Sequence, residues 1–71
     1  MSYCRRGADS DAYVWTDGEH IHISLPPDET WERTHSAETP AEALALLEQA
    51  REDGHRVPEA ALERLRSEAA T

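Results

Sequence analysis

The sequence of 71 residues contains one cysteine, Cys4, and carries a formal net charge of −8. A chain of this length forms one domain with a modest core, and its lone cysteine excludes an internal disulfide. An acidic surface repels phosphate backbones, so we expect no direct binding to nucleic acid. No apolar run is long enough to span a bilayer, and a cytoplasmic protein is the simplest interpretation.

The first part of the chain predicts a small antiparallel sheet. Residues 2–5 can form a short strand beside a β-hairpin, which is the clearest signal in the sequence. The Asp17-Gly18 pair suits a two-residue type I′ turn, because both central residues of that turn need positive φ. β-branched and aromatic residues, which favour strands, flank the pair on both sides. Residues 7–11, between the first strand and the hairpin, are predicted to form a loop.

The predicted turn sorts the hairpin residues onto two faces. It pairs Trp15 with His20 and Val14 with Ile21, and directly opposite residues share a face of the sheet. The face expected to meet the core consists of Ala12, Val14, Ile21 and Ile23. The opposite face consists of Tyr13, Trp15, His20 and His22, and is called here the aromatic–histidine face.

Residues 26–38 are predicted to connect the sheet to two helices. Pro26 and Pro27 end the hairpin, because proline cannot donate to a sheet ladder. Trp31 stands among polar residues in this segment, and we expect it to anchor the segment onto the core.

Residues 39–71 predict a helical hairpin. Thr39 can cap the first helix, Pro40 fits its first turn and Glu42 completes a capping box. Gly54 is the expected left-handed terminator. The apolar stripe of this helix is Ala43, Leu46, Leu47 and Ala50, widened by Leu44.

A second helix is predicted to open at Pro58 and to run from Glu59 to about Ala69. Its apolar stripe is Ala61, Leu62, Leu65 and Ala69. The linker is short, so the two helices should be antiparallel, with Val57 filling the junction between them.

The order of strands followed by helices favours an α+β fold, with two helices packed on one face of a small antiparallel sheet. Residues 1–71 form a single domain, divided into a sheet region (2–25), a connecting segment (26–38) and a helical hairpin (39–71). So small a core leaves a thin margin of stability. A homodimer through the sheet edge or through the aromatic–histidine face is therefore plausible.

Several stretches resemble a known group of proteins. They are the opening MSYCR (residues 1–5), DAYVW (11–15) and the late GHRVP (54–58) with the leucine-containing helix that follows. Together they are similar to small proteins of unknown function encoded by phages and prophages, especially of actinobacteria. The resemblance covers both ends of the chain and little of the middle, where members of the group often carry a longer segment. It implies no catalytic residues, only a context: an accessory phage gene product that acts on a host protein.

Four side chains of acceptable type could form a zinc site: Cys4, His20, His22 and His35. They lack the spacing of a CxxC or HExxH motif. Partly exposed histidines beside aromatic rings are therefore the favoured interpretation, and we expect no metal and no other cofactor.

Other chemistry is weakly indicated. Cys4 could be a nucleophile with a histidine partner, although a lone buried thiol is favoured. Asp9, Asp11, Asp17 and Glu19 could bind a hard cation, but they match no EF-hand spacing. With no convincing catalytic constellation, we expect a protein that is not an enzyme.

The leading prediction is a small acidic phage-type accessory protein that binds another protein, either a host protein or a second copy of itself. The aromatic–histidine face is the predicted interaction surface, because tyrosine and tryptophan are enriched where interfaces concentrate binding energy. Cover by the chain's own segments is the alternative for that face. Two other functions stay open: a zinc-stabilised binding module, and a DNA-mimic inhibitor that uses the acidic run from Asp9 to Glu32.

Overall fold

The computed structural model describes residues 2–25 and 35–70, and within them it has four strands and two helices. The elements are β1 (Ser2–Cys4), β2 (Tyr13–Thr16), β3 (Ile21–Ser24), β4 (His35–Ala37), α1 (Pro40–Glu52) and α2 (Glu59–Ala69). The strands form one antiparallel sheet in the order β1-β2-β3-β4. The predicted α+β fold is confirmed. The expected roles of Pro26, Pro27 and Trp31 concern residues outside the described ranges.

The hairpin of β2 and β3 is present, but its predicted register is wrong by two residues. Trp15 pairs with His22 and Val14 with Ile23. Residues 17–20 therefore form the loop, in place of a two-residue turn. The side chain of Asp17 explains the longer loop, because its Oδ1 accepts hydrogen bonds from the backbone N–H groups of Glu19 (2.9 Å) and His20 (2.8 Å).

The turn type differs from the prediction for a related reason. Among the described residues, positive φ occurs only at Gly18 (97°) and Gly54 (103°), whereas a type I′ turn needs it at Asp17 as well. A register shift of two residues nevertheless leaves every side chain on its predicted face, because the side-chain period of a strand is two.

Strand β4 was not predicted. Its three residues lie at the end of the segment expected to be a connection, and they pair with β3. Ala37 is opposite Ile21 and is buried on the core side of the sheet, whereas Ser36 is opposite His22 on the other side. The sheet is thus wider than the sequence indicated.

Strand β1 is the predicted third strand, and it is irregular. Ser2 pairs with Trp15 and Cys4 pairs with Val14, so one step along β2 matches two steps along β1. This β-bulge bends the strand. Tyr3 and Cys4 both pack against the core as a result.

Side chains also join β1 to α2. The hydroxyl of Tyr3 donates a hydrogen bond to Oε1 of Glu68, and the guanidinium of Arg64 lies 4.7 Å from the centre of the Tyr3 ring. Arg64 also donates to the carbonyl oxygen of Ser2 (3.3 Å). Since β1 is an edge strand, these contacts hold the edge of the sheet against the last helix.

Helix α1 begins as predicted. Oγ1 of Thr39 accepts from the backbone N–H of Glu42 (3.2 Å), and Pro40 lies in the first turn. The carboxylate of Glu42 reaches back to the N–H of Glu38 (2.9 Å), one residue before the cap. The capping box is therefore displaced by one residue from the expected reciprocal pair.

Gly54 ends this helix in a Schellman motif, as its predicted positive φ requires. Its N–H donates to the carbonyl of Arg51 (3.2 Å), and the N–H of His55 donates to the carbonyl of Ala50 (3.0 Å). Helix α2 then begins after Pro58 and packs against α1. Val57 is buried at the junction, as predicted.

The core lies between the two helices and one face of the sheet. Its buried residues include the whole predicted aliphatic face, Ala37, and apolar residues from both helices: Ala43, Leu47, Ala50, Leu62 and Leu65. One detail of the predicted stripes is wrong, because Ala69 is exposed. Leu44 and Leu46 are partly buried and pack against the core. Within residues 2–25 and 35–70, neither helix is long and apolar enough to cross a bilayer.

One ion pair joins the loop before β2 to the linker between the helices. Asp11 accepts the backbone N–H of Arg56 (2.8 Å) and its guanidinium Nη2 (2.9 Å), while the N–H of Asp11 donates to the carbonyl of Arg56 (2.9 Å). The backbone N–H of Arg56, followed by its guanidinium, lowers the pKa of Asp11. The Asp11 carboxylate therefore joins the loop before β2 to the linker between the helices.

Candidate functional site

The aromatic–histidine face lies on the side of the sheet away from the helices. Strand pairing places Trp15 beside His22, and Tyr13 precedes Trp15 by two residues on the same face. The Tyr13 and Trp15 rings stack with centroids 4.6 Å apart, and the Trp15 and His22 rings stack at 5.1 Å. The His20 ring lies 6.3 Å from that of His22. All four predicted surface residues are thus brought together.

His22 is held at both ring nitrogens. Its Nδ1 lies 3.2 Å from Oγ of Ser36, and its Nε2 lies 3.0 Å from Oδ2 of Asp17. The backbone N–H of His20, then the His22 ring, hold the pKa of Asp17 well below its usual range. The loop carboxylate that organises the turn therefore also fixes the imidazole on which Trp15 stacks.

The stack gives this surface a defined shape. Tyr13 is 37% exposed, while Trp15, His20 and His22 are half-buried. Because one face of the Tyr13 ring lies against Trp15, its exposed area belongs to the other face and the edge. Rings fixed in this way lose little conformational entropy on binding, which suits them to contact with another molecule.

A cleft adjoins the Tyr13 end of the stack, and it was not part of the predicted site. Its described lining residues are Arg5, Arg6, Tyr13 and Ser24, and its volume is about 420 Å³. Nη2 of Arg6 donates to Oγ of Ser24 (2.9 Å), which directs the guanidinium across the end of β3. The consecutive arginines just before the acidic run from Asp9 to Glu32 are the signal that could have indicated it.

The four candidate zinc ligands are not brought together. His20 and His22 lie on the outer face, whereas His35 is opposite Ile23 and therefore on the core side of the sheet. Cys4 also packs against the core, with its thiol 3.5 Å from the carbonyl oxygen of Ala12. The grouping considered from the sequence is wrong because it took no account of the strand faces.

Cys4 is poorly suited to nucleophilic chemistry. Burial raises the pKa of its thiol, and the thiolate is the reactive form of cysteine. The half-buried side chain fits the favoured interpretation of a packed thiol.

The predicted acidic cation site is not formed by its four residues. Asp11 binds Arg56 and Asp17 binds the hairpin loop and His22, while Asp9 and Glu19 are exposed. In the described part of the chain, no group of three or more histidine, cysteine, aspartate or glutamate side chains could hold a metal ion. Asp28, Glu29 and Glu32, which complete the acidic run of the DNA-mimic hypothesis, lie outside the described residues.

Comparisons with known proteins add no relative: no family model matches the chain, and no curated protein or solved structure matches it. The resemblance to phage-encoded proteins stays a prediction.

Proposed function

We propose that this chain is a small acidic accessory protein of the phage type, which acts by binding a host protein through its aromatic–histidine face. The observation that carries the proposal is the stack of Tyr13, Trp15 and His22 on the side of the sheet that the helices leave uncovered. A second copy of the chain is the alternative occupant of the same face.

The chemistry of the face supports a protein partner. Stacked aromatic rings supply a large contact area with few rotatable bonds, and they occur often among the residues that dominate binding energy. His22 and Ser36 add polar groups within the same surface. The zinc-module alternative loses support, because its ligands lie on opposite faces of the sheet.

Truncation of the stack tests the proposal. Trp15→Ala removes the central ring, and Tyr13→Ala removes the more exposed ring at its end. Glu52→Ala, at an exposed position on α1, is the control for a change on the helical side. Circular dichroism and thermal unfolding would establish that each variant is folded.

The readout is capture of the same partner by wild type and variants from a host lysate, together with analytical ultracentrifugation for self-association. We expect both aromatic variants to weaken binding, Trp15→Ala by about thirtyfold or more, which corresponds to a hot-spot loss of about 2 kcal/mol. Glu52→Ala should bind as wild type does. Retained binding by folded Trp15→Ala and Tyr13→Ala would refute the proposal. So would unfolding of Trp15→Ala combined with unchanged binding by Tyr13→Ala.

A further inference from the structure

The six arginines that the structure describes divide into two groups. Four of them have carboxylate partners: Arg51 with Glu59 (2.8 Å), Arg56 with Asp11 (2.9 Å), Arg64 with Glu68 (3.9 Å) and Arg66 with Glu59 (3.0 Å). In the part of the chain that the structure describes, Arg5 and Arg6 contact no carboxylate. The chain has 15 acidic residues, so this lack of pairing is not due to a shortage of acids.

These two arginines line the same cleft. Both are exposed, and Arg6 is oriented by its hydrogen bond to Ser24. A guanidinium carries five N–H donors, and a single bond to a hydroxyl leaves most of them available to a ligand. Tyr13 forms another wall of the cleft, and its ring joins the cleft to the stack on Trp15.

Resting on the proposed function, we propose that the cleft of Arg5, Arg6, Tyr13 and Ser24 binds a carboxylate of an acidic segment of the partner protein. The segment's neighbouring residues then lie along the aromatic–histidine face. Arginine binds carboxylates through paired, charge-assisted hydrogen bonds. The exposed face of Tyr13 offers a planar or apolar neighbour a place to pack.

Charge selects this occupant over a longer polyanion. The net charge of −8 repels an extended phosphate backbone, whereas one or two carboxylates can be held by the arginine pair alone. The negative charge of the rest of the surface also repels an acidic segment, and the two arginines attract it to the cleft. Complementary charge of this kind sets the register of an interface more than its raw affinity.

A peptide titration followed by NMR tests the inference without the natural partner. The probe is a short peptide of alternating glutamate and tyrosine, acetylated at its N-terminus and amidated at its C-terminus so that its only carboxylates are those of glutamate. Its uncharged counterpart has glutamine in place of glutamate. The variants are Arg5→Gln and Arg6→Gln, which remove the positive charge and keep a polar side chain. Arg51→Gln removes the same charge from α1 and is the matched control.

We expect saturable shifts of the backbone amides of Arg6, Tyr13 and Ser24 with the glutamate peptide, weaker in high salt. Arg6→Gln should weaken binding about tenfold, the equivalent of one charge-assisted hydrogen bond, and Arg51→Gln should leave it unchanged. The inference is overturned if those amides do not shift, if the glutamine peptide binds equally well, or if Arg6→Gln binds as wild type does. Preference of the cleft for inorganic phosphate or for a single-stranded oligonucleotide would also overturn it.

The natural partner separates this inference from the proposed function. Capture that depends on Trp15 but not on Arg5 or Arg6 would retain the proposed interface and refute the carboxylate site. Capture that depends on all three would support both.

Discussion

Substitution of Gly54 gives a direct measure of how the helical hairpin is joined. At φ of 103° a residue with a Cβ is strained, whereas glycine is not. Apart from Gly54 and its two chain neighbours, no heavy atom lies within 4 Å of the position a Cβ would take, so a clash with other residues adds nothing to the cost. The expected loss of folding stability therefore comes from backbone strain alone. It is about 1 kcal/mol for Gly54→Ala and about 2 kcal/mol for Gly54→Val, because valine is β-branched.

These losses convert to changes in melting temperature. A domain of this size loses roughly 4–8 °C for each kcal/mol, and thermal unfolding followed by circular dichroism resolves such a change. Gly7→Ala is the matched control, because Gly7 also has open space around its Cβ position but does not have positive φ. That variant should be neutral, or more stable by about 0.4–1 kcal/mol through the unfolded state. An unchanged melting temperature for Gly54→Val, or an equal loss for Gly7→Ala, would refute the reasoning from backbone conformation.

Three further outcomes are expected. Burial, followed by the hydrogen bond to Glu68, raises the pKa of Tyr3 to about 12. In a Tyr13→Phe protein, Tyr3 should therefore form tyrosinate only near that pH. Adding Glu68→Gln should move the tyrosinate absorbance change to lower pH. The pKa of Asp11 is lowered in the folded state, so its contribution to stability is present above the unfolded carboxyl pKa of about 3.9 and is lost as pH falls below it. The Asp11→Asn variant should therefore have a lower melting temperature at neutral pH, and its melting temperature should depend less on pH in acid. Melting temperatures of wild type and variant that fall in parallel with pH would contradict this. Elemental analysis of protein purified without a histidine tag should find no stoichiometric zinc, and a melting temperature that falls with chelator would show that the separated candidate ligands bind metal after all.

The hairpin shows what a sequence pattern can and cannot determine. Alternation of aliphatic and aromatic residues correctly assigned Val14, Ile21 and Ile23 to the core and Trp15 and His22 to the outer face. The predicted pairs of residues across the hairpin are wrong, because the backbone preferences of Asp17-Gly18 alone indicate a two-residue turn. The carboxylate of Asp17 bonds to two backbone N–H groups of the loop, and this favours a longer turn that periodicity does not reveal.

The helices were predicted almost to the residue, because their signals are local. The cap at Thr39, the glycine at position 54 and Pro58 each act within a few residues of the chain. Strand β4 has no such signal, since a histidine, a serine and an alanine become a strand only by pairing with β3. The cleft was missed for the same reason: Arg6 and Ser24 are 18 residues apart, and only the folded sheet brings them together.

The contacts between β1 and α2 have a consequence for folding kinetics. The Tyr3–Glu68 and Ser2–Arg64 contacts span 65 and 62 residues, so the chain must close a long loop before either can form. The β-hairpin and the helical hairpin close much shorter loops, and we expect them to be organised first. Tyr3→Ala should then accelerate unfolding and leave the refolding rate nearly unchanged, which the two arms of a denaturant chevron would separate. Strand β1 would thus determine how long the folded state lasts more than how quickly it forms.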